Sequence, residues 1–289
     1  MSEMPFPVNA VILDMDNTLY DWISYFVPAI RAMLSQASRL LDVDQGQLRE
    51  DLRTVHVARG NVEHPFALLE TRSVAKQLPN LTRSERYEVL KPAFAAFNEV
   101  RNMSLQLYPG VAETLQAIKN TGCRLLGHTE ATDINITTRM RTLGLHSVFE
   151  AIYAPQSIGL GHPLGNKREH HSERVPIRRL SSSARKPDPA AVQQILRDIS
   201  IDAGRCLYVG DSLAKDITMA KHVGMLAAWA RYGTRNDPGL WRDLVDISHW
   251  DAASVAAAKS SVPDPSYLQP DVTLDSFSEL LIYFRFSAA

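Results

Sequence analysis

VILDMDNTL, Val11 to Leu19, is the stretch that decides how the chain is read. Three aliphatic residues in a row make a strand buried on both faces, and such a strand tolerates charge only where it ends. Here it ends on Asp14 and Asp16. Other short apolar runs end in the same manner, at Thr129 in LLGHTEA (125–131) and at Asp211, with Asp216 beyond it, in CLYVGDSLAKD (206–216). Lys186 stands in ARKPDP (184–189). In a parallel sheet the carboxyl ends of the strands share one crevice, so these runs deliver carboxylates and a hydroxyl to a single rim.

The elements between these runs alternate. Helix is expected over 111–120, strand over 124–127, helix over 133–143 and a short strand over 151–154. Helix over 190–199, strand over 206–209, helix over 214–222 and a strand near 225–229 follow. The fold class is therefore α/β, a doubly wound, Rossmann-like parallel sheet with right-handed crossovers. From Trp22 to Met103 the spacing switches to three or four residues, as in ISYFVPAIRAMLSQASRLL and SERYEVLKPAFAAFNEV, with breaks at 44–46, 60–65 and 79–82. Four amphipathic helices with no strand among them cannot belong to the alternating sheet. The expected organisation is a discontinuous core, 1–20 and 105–289, with an inserted all-helical cap over 21–104. Residues 156–185 read as a long loop and 260–270 as another, followed by a closing helix over 277–284.

Composition bounds the function. Thirty-one basic against 32 acidic residues leave a formal charge of -1, so no field draws the protein to nucleic acid or to an anionic membrane. Hydrophobic residues make up 45% of the chain, enough for a core, yet no uninterrupted apolar segment reaches spanning length. The first residues carry no basic leader, and the expectation is a cytoplasmic monomer or homodimer. Cys123 and Cys206 lack a CxxC or His partner at metal spacing and read as buried free thiols.

The rim residues have the chemistry of phosphoryl transfer. One carboxylate can attack phosphorus, and a second can protonate the leaving oxygen and later deprotonate water. Two carboxylates facing a phosphate dianion repel it unless a cation intervenes. Asp211 and Asp216 add hard oxygen ligands suited to Mg2+, Lys186 adds a fixed positive charge, and Thr129 with the amides after it can bind phosphoryl oxygens. Taken singly, each has a bland reading, such as an Asp-rich turn, an N-cap, a loop lysine or a helix-start carboxylate.

DMDNTL, LLGHT, KPDP and GDSLAKD together resemble the haloacid dehalogenase superfamily, and in particular its phosphohydrolases with a helical C1-type cap between the first two motifs. The resemblance implies Asp14 as nucleophile, Asp16 as acid and base, Lys186 as stabilising cation and Thr129 as phosphate binder. It implies Mg2+ held by Asp14, the main-chain carbonyl of Asp16, and Asp211, with Asp216 nearby or acting through water. Asp16 separates the chain from the dehalogenase branch. The activity implied is a Mg2+-dependent phosphatase acting on a small phosphorylated metabolite; a phosphomutase or phosphotransferase, a dehalogenase and a non-catalytic regulatory protein are the alternatives.

Other residues carry finer expectations. Glu130, where many relatives have Asn, is expected to meet a cationic substrate group or to anchor the adjacent helix. Tyr20 and Trp22, where the chain leaves the core, are placed to line the pocket beside Asp16, although Trp22 and Phe26 are spaced for one helix face and interdomain packing is the commoner outcome. Arg53, His56 and Arg59 share a helical face that can recognise a second anionic group, although a solvated face is the commoner outcome. His128 is expected to turn away from the site. His162, His170 and His171 lie in a basic stretch without regular ligand spacing, which favours a solvated loop over a transition-metal site.

Overall fold

A computed structural model describes residues 6–64, 66–157, 162–164, 175–181, 185–252, 255 and 268–289. Its centre is a parallel sheet of seven strands in the order β5-β4-β3-β2-β6-β7-β8. These are β2 (Ala10–Leu13), β3 (Arg124–His128), β4 (Ala151–Pro155), β5 (Ile177–Leu180), β6 (Cys206–Gly210), β7 (Leu226–Ala230) and β8 (Val272–Leu274). β2 lies between β3 and β6, with Leu13 opposite both Gly127 and Val209. All four of its residues are fully buried. Val11 and Leu13 join one apolar cluster while Ala10 and Ile12 join another, the two-residue period of a strand covered on both faces. Chain order reverses around β2 and β6, so the crevice at their carboxyl ends is the binding position of an open α/β sheet.

Between β2 and β3 the chain forms α1 (Trp22–Leu41), α2 (Gln45–Arg59), α3 (Arg72–Gln77) and α4 (Arg83–Ser104), with no strand among the described residues. Local chemistry fixes their ends. Asp21 and Asp44 accept hydrogen bonds from the amides of Ser24 and Gln47, and Thr82 with Glu85 forms a capping box. Gly60 closes α2 in the left-handed region that an L side chain resists. The long helices α1 and α4 pack along each other, Phe26 meeting Phe97 edge-on at 6.2 Å. The remaining helices, α5 (Val111–Asn120), α6 (Asp133–Thr142), α7 (Ala190–Ile199), α8 (Thr218–His222), α9 (Pro238–Ile247) and α10 (Leu280–Tyr283), belong to the alternating part. No helix among the described residues is long and apolar enough to cross a membrane. Cys123 and Cys206 are buried free thiols, and burial pushes both up to about 12.

The structure departs from the sequence reading at several places. The run from Val8 to Leu13, which reads in the sequence as one buried strand, is divided between two, because Asn9 interrupts it: its side-chain amide donates to Ser287 Oγ and the Ala288 carbonyl and its side-chain oxygen accepts from Arg205. The preceding β1 (Phe6–Val8) therefore pairs with a C-terminal strand, β9 (Phe284–Phe286), which also ends the closing helix one residue early. The stretch 156–185 contains β5, whose Arg178 and Arg179 hide the strand pattern by projecting from a sheet edge. Residues 158–161, 165–174, 182–184 and 260–267 of the two expected loops, with His170 and His171, lie outside the described residues. The helix expected from 214 opens instead as a wide π turn over Leu213–Ile217.

α9, a helix the sequence reading does not mark, packs on α1 and α2. Arg31 bonds Asp243 at 2.5 Å, and His56, 1% exposed, donates from Nδ1 to the Ile247 carbonyl at 2.7 Å. Burial pushes the His56 imidazole down to about 4, whereas the unfolded side chain titrates near about 6.5. Between those values the unfolded chain binds the extra proton, so stability falls as pH drops through that window, by about 3 kcal/mol in full. Unfolding free energies from urea melts at pH 7.5 and pH 4 are expected to differ by about 2 to 3 kcal/mol less in His56→Gln than in the wild type. Equal acid losses in the two proteins would remove His56 from the interface's pH response.

Candidate active site

Asp14 is the first residue past β2, and its amide donates to the Val209 carbonyl at 2.9 Å, which fixes it against β6. The turn after it is built from the motif itself. Asn17 takes the left-handed conformation at φ 58, a region Asn enters more readily than most residues, and the Leu19 amide folds back on the Met15 carbonyl at 2.9 Å. Thr18 Oγ1 then donates to Asp14 Oδ2 at 3.2 Å. Asp14 Oδ1 accepts from Lys186 Nζ, which also lies 2.8 Å from Asp216 Oδ1 and 5.6 Å above the Tyr208 ring. His128, expected to turn away, is buried beside Tyr208, shares a 3.0 Å hydrogen bond with its hydroxyl and so supports the floor under Lys186.

Asp14, Asp211 and Asp216 each present an oxygen within 4.8 Å of the others. The π turn brings Asp216 back over the end of β6, where its Oδ2 accepts from the Ser212 amide at 3.1 Å. Gly210 is required there, since a Cβ on it would lie 2.4 Å from Asp216 Cγ. The electrostatics are those of an anionic cup. Burial first, then Asp216 and Asp16, push the Asp14 carboxyl up to about 7 against the pull of Lys186. Burial and the neighbouring Asp14 and Asp216 likewise hold Asp211 well above the usual carboxylate range. The same carboxylates hold Lys186 charged in spite of its burial. One ammonium among three clustered carboxylates leaves net negative charge on hard oxygens, a donor set that fits a divalent cation such as Mg2+.

Thr129 continues β3, its amide bonded to the Tyr153 carbonyl at 3.0 Å. Its hydroxyl oxygen accepts from the Ala131 amide at 3.0 Å, so the hydroxyl proton remains to be donated. Glu130 meets Lys215 at 2.7 Å. Burial raises its carboxyl, but Lys215 more than offsets this and holds it below the ordinary value. A carboxylate beside a phosphate site is thereby neutralised by a lysine of the Asp211 loop.

Asp16 is engaged by a residue the sequence reading passed over. Arg139 of α6, its side chain 4% exposed, donates from one terminal nitrogen to Asp16 Oδ1 at 2.8 Å and from the other to Glu63 Oε1. Glu63, between α2 and α3, also accepts from Trp22 Nε1 at 2.8 Å. The Arg139 guanidinium lies 5.6 Å from the Tyr25 ring centroid. One signal was present: Arg139 shares the buried stripe of α6 with Ile136 and Met140, a position where an unpaired charge would not survive. Nothing local marks Glu63.

Tyr20 and Trp22 sit against this network and are buried there. Tyr20 is fully buried and bridges Asp16 and Leu107 through its backbone, and Trp22 stacks on Phe26 at 5.0 Å. The face of Arg53, His56 and Arg59 does not converge on a ligand position: Arg53 is exposed, His56 is turned to Ile247 and Arg59 pairs with Glu70 at 2.7 Å. His162 packs against the Phe66 and Tyr87 rings at 5.0 Å from each.

The sequence profile of the haloacid dehalogenase-like hydrolases matches residues 8–224. A glyceraldehyde 3-phosphate phosphatase of Methanopyrus kandleri is 26% identical over 80% of this chain and 87% of its own. A phosphoglycolate phosphatase of Mesorhizobium japonicum is 26% identical over 86% and 94%. Among solved structures, a 2-haloacid dehalogenase of Pseudomonas syringae superposes with a TM-score of 0.57 at 23% identity, covering 96% of this chain and 97% of its own. An HAD phosphatase of Thermococcus onnurineus gives 0.55 at 19% identity, covering 96% and 100%. These two superpositions establish the shared fold.

Proposed function

The chain belongs to the haloacid dehalogenase-like hydrolase family and is a phosphohydrolase of it, and from that premise we propose that it hydrolyses a phosphate monoester of low molecular weight through an aspartyl-phosphate. Residues 21–104 form its cap, and 1–20 with 105–289 form its core. The relatives named as phosphatases of glyceraldehyde 3-phosphate and phosphoglycolate support the substrate class. The observation that carries the reading is the anionic cup: Asp14 in contact with Lys186, ringed by Asp211 and Asp216, with Asp16 two residues away.

In the first displacement an Asp14 oxygen forms a bond to phosphorus as the ester P–O bond breaks, and the leaving alkoxide takes a proton from Asp16. In the second, Asp16 removes a proton from water, whose oxygen attacks the phosphoryl group and returns Asp14 as carboxylate. Lys186 holds the attacking carboxylate in place and offsets phosphoryl charge, and the Thr129 hydroxyl donates to a phosphoryl oxygen. Mg2+ bound by Asp14, the Asp16 carbonyl, Asp211 and Asp216 would supply charge neutralisation between carboxylates and phosphate. Arg139 orients Asp16 and, through Glu63, ties it to the cap.

With Mg2+ present, the protein is expected to release inorganic phosphate from members of a panel of phosphorylated metabolites. Chelation should lower the rate by a factor of about 100 or more, and added Mg2+ should restore it, in keeping with the several kcal/mol a metal contributes. An enzyme silent on the whole panel with Mg2+ would refute the proposal.

A further inference from the structure

A cavity of about 1130 Å³ lies between the helical cap and the sheet, and Arg139 and Glu63 are part of its wall. We propose that it is the chamber for the organic part of the substrate and takes a phosphate monoester whose leaving group carries a bulky apolar or aromatic body. The inference rests on the phosphatase reading above and adds the kind of ester.

Size is the first argument. Pockets of about 300–1,000 Å³ enclose drug-sized ligands, so a two- or three-carbon acid would leave most of this space to water. The walls are the second. Phe66, Tyr87, Phe94 and Phe97 line the cavity and are each only half-buried. Phe66 stands edge-on to Tyr87 at 5.7 Å and to Phe94 at 5.4 Å, and Tyr87 stacks on Phe94 at 5.3 Å. Their apolar faces gain most from a partner that is itself apolar. The cluster is also braced from the core: His162 packs on Phe66 and Tyr87, and Ser84 Oγ donates to the Pro163 carbonyl at 2.6 Å.

Position is the third argument. Arg139 lines the cavity and bonds Asp16 directly, so the space reaches, through that one guanidinium, the carboxyl group that would give its proton to the departing oxygen. Two polar groups on the wall have capacity to spare. The Tyr25 hydroxyl, in a residue 1% exposed, has no hydrogen-bond partner among the described residues. Arg101 bonds only the neighbouring Asn102 side chain and lies 5.9 Å from the Phe97 ring, with no carboxylate paired to it among the described residues. A polar or anionic substituent on the apolar body would be received there.

The test compares ethyl phosphate with naphthylethyl phosphate, whose leaving groups are both primary alkoxides of similar reactivity, on the full chain with Mg2+. kcat/KM is expected to favour the naphthylethyl ester by about 100-fold or more, and Phe97→Ala should shrink that preference by about tenfold, as should Phe94→Leu to a lesser degree. Calorimetry with naphthylethanol alone needs no turnover: the wild type should bind it, and Phe97→Ala should bind it about tenfold more weakly. Ester hydrolysis without size preference, together with no binding of the alcohol, overturns the chamber and leaves the phosphatase reading intact. Alcohol binding that depends on Phe97, with every ester untouched, upholds the chamber as a binding site and overturns the phosphatase reading.

Discussion

Asp14→Asn is expected to lower kcat by a factor of about 10⁴ or more, about 5.5 kcal/mol of transition-state stabilisation, while leaving a folded protein. An amide of the same shape fills the same space, but its oxygen is too weak a nucleophile to displace an alkoxide from phosphorus. The fold should tolerate the change for an electrostatic reason. Asp14 shares the cup with Asp211 and Asp216, and burial, with repulsion from Asp216 and Asp16, already holds its carboxyl at about 7. Removing one charge from the trio relieves Asp211, and Lys186 keeps its 2.8 Å contact with Asp216. Unfolding free energy in metal-free buffer is therefore expected to change by no more than about 1 kcal/mol. Activity measured beside a urea melt separates the two effects. A folded Asp14→Asn protein retaining more than about 1% of wild-type kcat would mean that another group attacks phosphorus.

The parts that were legible in the sequence are those governed by local chemistry or by period. The aliphatic runs at 10–13 and 206–210 state burial on both faces, and the helices from Trp22 to Ser104 announce themselves by their three-to-four-residue spacing and by the breaks between them. The rim was legible for the same reason: a charge ending an apolar strand has one place to go. What escaped depends on pairing between distant segments. Asn9 splits the first run because of the chain's own end, some 280 residues on, and β5 is a strand because β4 offers it an edge. Glu130, expected to meet a cationic substrate group or to anchor the adjacent helix, meets Lys215 instead, 85 residues away. Arg139 is the instructive omission. Its place on an apolar helix stripe demanded a buried carboxylate, and the helix's own Asp133 is taken by Ser157 and Arg179; Asp16 and Glu63 come from 123 and 76 positions away. Tyr20 and Trp22 follow Asp16 along the chain; the fold buries both, and Trp22 reaches Glu63 of the Arg139 network while stacking on Phe26.

Lys186→Met should damage stability and activity together, and a divalent cation should repair the first more than the second. The side chain is 3% exposed, lies against the carboxylates of Asp14 and Asp216, and carries the one ammonium in contact with them among the described residues. Methionine keeps the length of the stem and removes the charge, so the buried carboxylates lose their counter-ion. Breaking a buried pair in this way costs about 3–5 kcal/mol, and that loss is expected in metal-free unfolding at pH 8. The cup is then more negative than in the wild type, so Mg2+ should bind it more tightly and stabilise the variant by more than it stabilises the parent. A cation at a hundred times its dissociation constant adds about 2.7 kcal/mol, which sets the scale of the recovery. Catalysis will not recover to match, because a cation among Asp14, Asp211 and Asp216 does not replace the ammonium that orients the attacking oxygen. kcat should stay about 10² to 10³ below wild type at saturating Mg2+, the usual loss for one preorganised charge contact. Paired melts with and without Mg2+ decide the matter. Equal stabilisation of parent and variant would mean that charge does not govern the cup, and the roles given to Lys186 and to the three aspartates would fall together.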